Sequence, residues 1–449
     1  MRLSMARTRV LAATGLSLAA VIGGGCTLHS SPRSTPPTTG SQPATTKTTV
    51  ASQPAAAVQV SHDRLGDHAE PAVAANPADA GNLLAASMVV QGTGRGLATY
   101  ASFDGGRTWQ SNGLLPGADM RYDADVAVTF DSAGHGFVSG WVGDRASEEQ
   151  GGAWVWRTDD GGRTFEAPVR AVLGFFDHPG VAADPTGGSE DLYLAGTFTS
   201  GGGLRFTRST DGGKTFEPTR SIDAANGAQG RLPVIGAGPD GLVAVMYYVF
   251  QPDGTPVATV VTSTDHGRTF GRPTPLAPVH SPTSYAVQAR SGPSLAVDPR
   301  TGELYAAVTT TSSRGSEIDV YTSHDQGGSW VPTTVAQSAG ATYAQSQLAV
   351  DSAGRVGVFA FAISGGAVQP VVFVSPSGSA RFGPARPLTD SPFVPQTANP
   401  AGGTDDPGAP AAPAWIGDYQ AMATTPGVFH PVWNGSVTGS LELMTLTVR

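Results

Sequence analysis

Short apolar runs, each closed by a turn, recur along this chain with a regularity that predicts its elements. Six runs of small and β-branched residues, Pro71 to Pro77, Val126 to Asp131, Pro179 to Pro185, Pro233 to Pro239, Pro293 to Pro299 and Ser346 to Asp351, each end in a turn and read as short strands. A second apolar run follows each of them: Leu83 to Val89, Gly136 to Val142, Leu192 to Phe198, Leu242 to Val249, Leu304 to Thr309 and Val356 to Ala362. A third then leads into a polar octapeptide, first seen as Ser102-Phe103-Asp104-Gly105-Gly106-Arg107-Thr108-Trp109. Its Asp can accept local backbone N–H bonds and its glycines supply positive φ, so it reads as a hairpin turn anchored by the closing aromatic ring.

Near-copies of the octapeptide begin at Thr158, Ser209, Ser263 and Ser323, and a sixth, from Ser375 to Phe382, has lost its Asp. The steps between copies are 56, 51, 54, 60 and 52 residues. A period of about 50 residues with strand-like flanks predicts propeller blades, with the small-residue runs as the crowded inner strands. After the sixth unit a Pro, Gly and Ala-rich insertion spans residues 390 to 417, and then Tyr419 to Pro426, Val428 to Trp433 and Leu441 to Val448 repeat three strands without a fourth. The lone run Ala57 to Ser61 is free to supply it, closing the ring and leaving no exposed edge. The expected fold is an all-β propeller of seven four-stranded blades closed by pairing the two chain ends, with six blades as the alternative.

Composition changes this picture mainly at the amino end. Residues 1 to 26 have a basic start (Arg2, Arg7, Arg9), an apolar run from Val10 to Ile22 and small residues leading to Cys26, which is an export signal. Cys26 is the only cysteine, so no intramolecular disulfide forms, and its surroundings resemble a bacterial lipobox. Lipidation of Cys26, giving an anchor at the outer face of the cell membrane, is the expectation; ordinary secretion is the alternative. Residues 27 to 56, rich in Ser, Thr and Pro, read as a disordered tether, and residues 57 to 449 as the propeller domain. The net charge of −9, with no basic patch, argues against a nucleic-acid partner, and the domain is expected to be monomeric.

Function must come from a site. Inner strands of a propeller converge on one end of the axis, and counting back from the turn that ends each one reaches Glu70, Asp125, Asp177 with His178, Arg231, Gln345 and Asp418 with Tyr419, while Arg290 and Tyr343 lie slightly further back. These are the candidate site residues. The nine histidines show no metal-ligand spacing, and no phosphate loop or nucleophile elbow occurs. No cofactor is expected, although Thr404-Asp405-Asp406 and the Asp-rich strand starts have the oxygen ligands that Ca²⁺ takes.

The octapeptide, S-x-D-x-G-x-T-W/F, resembles the Asp box of the sialidase and BNR-repeat superfamily, where it is a structural fold-back remote from the active site. Arg231-Leu232-Pro233 is similar to that superfamily's Arg-Ile-Pro motif. The resemblance implies that Arg231 and Arg290 clamp an anionic sugar through bidentate hydrogen bonds, that Asp125 or Asp177 is the acid/base, and that Tyr343, or in second place Tyr419, is the nucleophile of a retaining exo-glycosidase. Glu70, His178, Gln345 and Asp418, reached by the same inner-strand register, are expected to bind the substrate. Arg231 follows the third octapeptide, where the motif usually precedes the first, and neither a third Arg nor a Glu to activate the Tyr is identified. Two functions therefore stand side by side: a cell-envelope glycosidase acting on acidic glycans, and a non-catalytic surface propeller that binds glycan or protein.

Overall fold

The structure, a computed structural model, describes residues 56–92, 94–118, 123–143, 151–198, 203–223, 230–280, 287, 291–376, 381–395, 414–437 and 439–449. The signal segment with Cys26, the tether, Arg290 and Thr404 to Asp406 lie outside the described residues.

Seven antiparallel four-stranded sheets are arranged as blades, with no α-helix among the described residues. Blade 1 comprises Asp67–Ala75, Leu83–Gln91, Gly94–Ser102 and Gln110–Leu114. Blades 2 to 6 repeat this order from inner strands Ala124–Phe130, Phe176–Ala183, Gly230–Ala237, Ser294–Val297 and Thr342–Val350. Blade 7 is built from Ala421–Thr425, Val428–Val437 and Ser440–Thr445, and its outer strand is Val58–Gln59, which pairs with Met444 and Thr445. The seven-blade reading and the closure by the two chain ends both hold. The inner strands start earlier than the apolar pattern suggests: in blade 1 at Asp67 and in blade 6 at Thr342, because the polar residues ahead of the apolar run also join the ladder.

The second strands are the most deeply buried elements; every residue from Leu83 to Val90 and from Gly136 to Val142 is buried. They are covered by neighbouring blades on both faces, which explains their near-continuous apolar sequence. Around the closure, Trp433, Phe359, Phe361, Trp415 and Phe429 pack in one cluster, with Trp433 stacked on Phe359 at 6.2 Å. Blades are also tied by polar contacts at the inner strands. Ser139 Oγ donates to the Pro179 carbonyl, the Leu232 N–H donates to Thr197 Oγ1 at 3.2 Å, the Thr309 and Ser346 hydroxyls meet at 2.7 Å, and Asn434 Nδ2 donates to the His68 carbonyl at 2.7 Å. Each such bond contributes about 1 kcal/mol, and together they set the angular register of the ring.

The octapeptides turn at the opposite end of the blades. In the first, Asp104 accepts from Ser102 Oγ, Thr108 N–H and Thr108 Oγ1 at 2.9, 2.9 and 2.7 Å, Ser102 Oγ accepts the Gly106 N–H, and Trp109 is buried. The same set recurs at Asp160, Asp211, Asp265 and Asp325. Burial works against it, yet hydrogen bonds from Thr269 and Ser263 bring the Asp265 carboxyl down to about 2. Its contribution to stability is therefore present above the unfolded carboxylate value and is lost only as pH falls through about 2. Asp160→Ala removes three of these bonds and is expected to cost about 1–2 kcal/mol in chemical denaturation.

Candidate functional site

Five inner strands carry the same irregularity near their first residues. The pairing register slips between Ala69 and Ala72, Ala124 and Val126, Asp177 and Gly180, Arg231 and Val234, and Ala344 and Gln347. Inside each slip one non-glycine residue has a left-handed backbone: Glu70 (φ 55°), Asp125 (51°), His178 (52°), Leu232 (57°) and Gln345 (52°). A bulge of this kind re-aims a side chain, and a left-handed L-residue costs about 1–2 kcal/mol. The equivalent segment of blade 7 uses Gly417 at φ 77°, directly before Asp418 and Tyr419.

Four of these blades bring chemistry to one place. The Asp125 carboxylate accepts the His178 N–H at 3.2 Å through Oδ2, and its Oδ1 lies 3.3 Å from His178 Nδ1. Tyr419 reaches from blade 7 past blade 1, its hydroxyl accepting the Val126 N–H of blade 2 at 2.9 Å, and its ring lies 5.8 Å from that of His178. Asp418 accepts from Trp415 Nε1 at 3.2 Å. Glu70, only 6% exposed, stands against the Gly417 backbone: a Cβ placed on that glycine would lie 3.0 Å from the Glu70 nitrogen and 3.6 Å from its Cγ. Glycine is thus required there for close approach as well as for φ.

Electrostatics follow from this crowding. The Glu70 carboxyl is held well above the ordinary carboxylate value, first by burial, then by Asp418 and Asp125 and also Asp177, with Arg95 pulling the other way. Tyr419 is raised well above the usual phenol value by burial and by Glu70, Asp125 and Asp418, with the Val126 N–H opposing. In both groups the surroundings favour the neutral form over the charged one. Asp125, Asp177 and His178 present ligand-type atoms within 4.8 Å of one another, as Asp184, Asp191 and His266 do at the octapeptide end; mixed carboxylate and imidazole sets can hold divalent cations.

The other candidates have different surroundings. Gln345 is buried in a chain of amides: its Nε2 donates to the Gly417 carbonyl at 2.7 Å, its Oε1 accepts from Gln420 Nε2 at 2.8 Å, and Gln420 Oε1 accepts the Asn434 N–H at 2.7 Å. Arg231 is exposed, with its guanidinium carbon 6.0 Å from the Phe250 ring, and Phe250 is itself 45% exposed. Leu232 takes the left-handed position in blade 4 and packs against the cluster of Met246 and Tyr248. Tyr343 packs edge-on to Phe373 at 6.0 Å, and burial alone raises its phenol. The tyrosine among the carboxylates is therefore Tyr419, and Glu70 is the Glu beside it.

Counting along the sequence missed Arg95, Trp415, Gln420 and Asn434. Trp415 ends the insertion and was a visible signal; Arg95 sits on a third strand, outside the inner-strand register.

The sequence matches no protein-family model and no curated protein. Among solved structures it is similar to an ulvan lyase from a family of polysaccharide lyases, at 12% identity and a TM-score of 0.52 over 87% of this chain and 95% of the lyase. It is similar to a protein of unknown function from Dyadobacter fermentans at 14% identity and a TM-score of 0.50, over 88% and 98% of the two chains. A Hadza microbial sialidase is matched at 14% identity and a TM-score of 0.46, over 88% of this chain and 68% of the sialidase. At these identities the likeness is one of overall fold.

Proposed function

We propose that this chain is an exported propeller that recognises glycan at the channel end where blades 7, 1, 2 and 3 converge. One observation carries the reading: three consecutive blades hold Glu70, Asp125 and His178 in left-handed bulges that aim chemistry-bearing side chains at a common centre. Backbone strain of this kind persists only where the surroundings impose it, and it clusters at working sites. Polar groups gathered beside an aromatic ring, here Tyr419, suit a sugar's hydroxyls and its apolar face. The polysaccharide lyase whose overall fold this chain shares is by its name an enzyme of sugar polymers, which agrees with the reading. Calorimetric titration against a panel of neutral, acidic and amino oligosaccharides tests it. Saturable binding weakened about tenfold or more by Asp125→Asn is expected; no saturable binding to any sugar overturns it.

Retaining glycoside hydrolysis is a second reading, favoured by the placement of Tyr419 beside Glu70 and Asp125. In it Tyr419 is the nucleophile and Asp125 or Asp177 is the acid/base. Recognition comes first because the Tyr419 hydroxyl already accepts the Val126 N–H. Sugar release abolished by Tyr419→Phe and retained in Tyr343→Phe would support turnover.

Anchoring through Cys26 belongs to the same proposal. Cys26→Ser is expected to move the protein from the membrane to the soluble fraction and to remove the diacylglycerol mass from the mature amino terminus.

A further inference from the structure

At the octapeptide end, five blades fasten the turn that closes the inner strand to the residue just ahead of the second strand. The turn residue's N–H donates to that residue's carbonyl: Asn76 to Asn82, Asp131 to His135, Asp184 to Asp191, Asp298 to Glu303 and Asp351 to Arg355. In four blades the side chains of the pair are satisfied one by one. Asn76 accompanies Asn82 at 3.0 Å, and Asp131 and Asp351 meet His135 and Arg355 at 2.7 Å. In blade 5 both members are acidic, and each has its own partners: Arg300 at 3.5 Å from Asp298, and His324 and the Tyr305 hydroxyl at 2.8 and 2.7 Å from Glu303. Blade 3 differs. Asp184 and Asp191 share one imidazole, His266 of the blade 4 octapeptide, and one phenol, Tyr193. Arg208 is engaged instead with Glu217 and the His266 carbonyl.

The spacing in blade 3 is long for hydrogen bonds and right for ligands around a small ion. Tyr193 Oη lies 3.1 Å from Asp184 Oδ2, 3.4 Å from Asp191 Oδ2 and 3.4 Å from His266 Nδ1, which lies 3.2 and 3.4 Å from the same two oxygens. Hydrogen bonds to a carboxylate run at about 2.5–2.9 Å, as Tyr305 and His324 show at the matching place in blade 5. One phenol and one imidazole nitrogen bring at most two protons to five contacts. Tetrahedron edges of 3.1–3.4 Å put the centre about 2.0 Å from each corner, the length of a Zn–N or Zn–O bond. Ca²⁺, with bonds of about 2.3–2.6 Å, needs a wider set.

We propose that Asp184, Asp191, His266 and Tyr193 form a zinc site that staples blade 3 to blade 4. Asp184 and Tyr193 are buried, and the second Asp184 oxygen is fixed by the Thr186 N–H at 2.8 Å. The His266 N–H is fixed by the Gly241 carbonyl at 2.9 Å, while its side chain is 37% exposed and gives an ion a way in. His266 stands, at φ 59°, where the first three octapeptides have Gly105, Gly161 and Gly212.

The test is Zn²⁺ uptake by the full chain after chelation and dialysis, read as bound metal by elemental mass spectrometry, with thermal melts in Zn²⁺ or Ca²⁺. Wild type is expected to hold at least one equivalent of zinc and to melt higher as free Zn²⁺ rises. His266→Gly restores the glycine of the first three octapeptides, so its metal-free form should melt no lower than wild type; it should hold one equivalent fewer and lose most of the rise. Asp191→Asn should weaken zinc binding about tenfold or more, and it decides the matter if metal-free His266→Gly melts lower. No uptake, uptake and stabilisation unchanged in the deciding variant, or a stabilisation by Ca²⁺ that exceeds that by Zn²⁺ and vanishes in that variant overturns the proposal.

Discussion

His68→Gln is expected to lower the stability of this propeller by about 3–5 kcal/mol, the usual cost of breaking a buried ion pair by removing one partner. His68 has no exposed surface and joins the two chain ends. Its Nε2 lies 3.2 Å from Asp63 and its Nδ1 3.4 Å from Glu442 of the last strand. Ser61 Oγ donates to Glu442 at 2.5 Å and accepts the Leu443 N–H, and the Tyr100 hydroxyl donates to Asp63 at 3.0 Å. Without the imidazolium, two carboxylates face each other in the seam that closes the ring. Burial by itself would push the imidazole down, but Asp63 and Glu442 lift it from 6.5 to about 9. The stabilisation is thus present in full below about pH 6.5 and is lost as pH rises through about 9. Asp63, whose carboxyl is held far below its usual value against the effect of burial, sets the acid side: its contribution fades as pH falls below the unfolded carboxylate value. Denaturation midpoints across pH check both. A wild-type stability that stays flat from about pH 7 to 10, or a His68→Gln variant within 1 kcal/mol of wild type, would sink the account.

Glu70→Asn is expected to do the reverse for stability while disabling the site. Asn tolerates the left-handed backbone better than Glu, and its amide replaces a carboxyl crowded by Asp418, Asp125 and Asp177 with a group that can donate to them. A gain of about 1 kcal/mol is expected, read as a rise of roughly 1–3 °C in melting temperature, together with a fall of about tenfold or more in glycan affinity. Stability surrendered at a working position is the pattern expected of a site. Should the variant melt lower and still bind sugar as tightly, Glu70 is an ordinary structural residue.

The candidate site was partly legible before folding. Glu70, Asp125, Asp177, His178, Asp418 and Tyr419 lie at a constant distance from turns that the sequence displays, so counting reached them. Tyr343 and Arg231 sit at comparable distances but face elsewhere, one onto Phe373 and the other onto Phe250, because strand pairing decides which way a side chain points. The left-handed bulges left no mark that could be read in advance: Glu, Asp, His, Leu and Gln share no backbone preference for that conformation, and each is held there by the neighbouring strand and the next blade.

By itself the sequence determined the repeat and pointed to seven blades closed by the two chain ends, with six as the alternative, since each reading rests on local chemistry: an Asp that accepts from its own turn, glycines with positive φ, and an unpaired strand at each end of the chain. Tertiary structure alone decided the rest. It placed His68 between Asp63 and Glu442, residues 5 before and 374 after it in the chain, and it set Glu70 among carboxylates drawn from blades 2, 3 and 7. Those outcomes depend on burial and on distances across the ring, which raise a carboxyl or an imidazole far from its ordinary behaviour and exist only once the ring is closed.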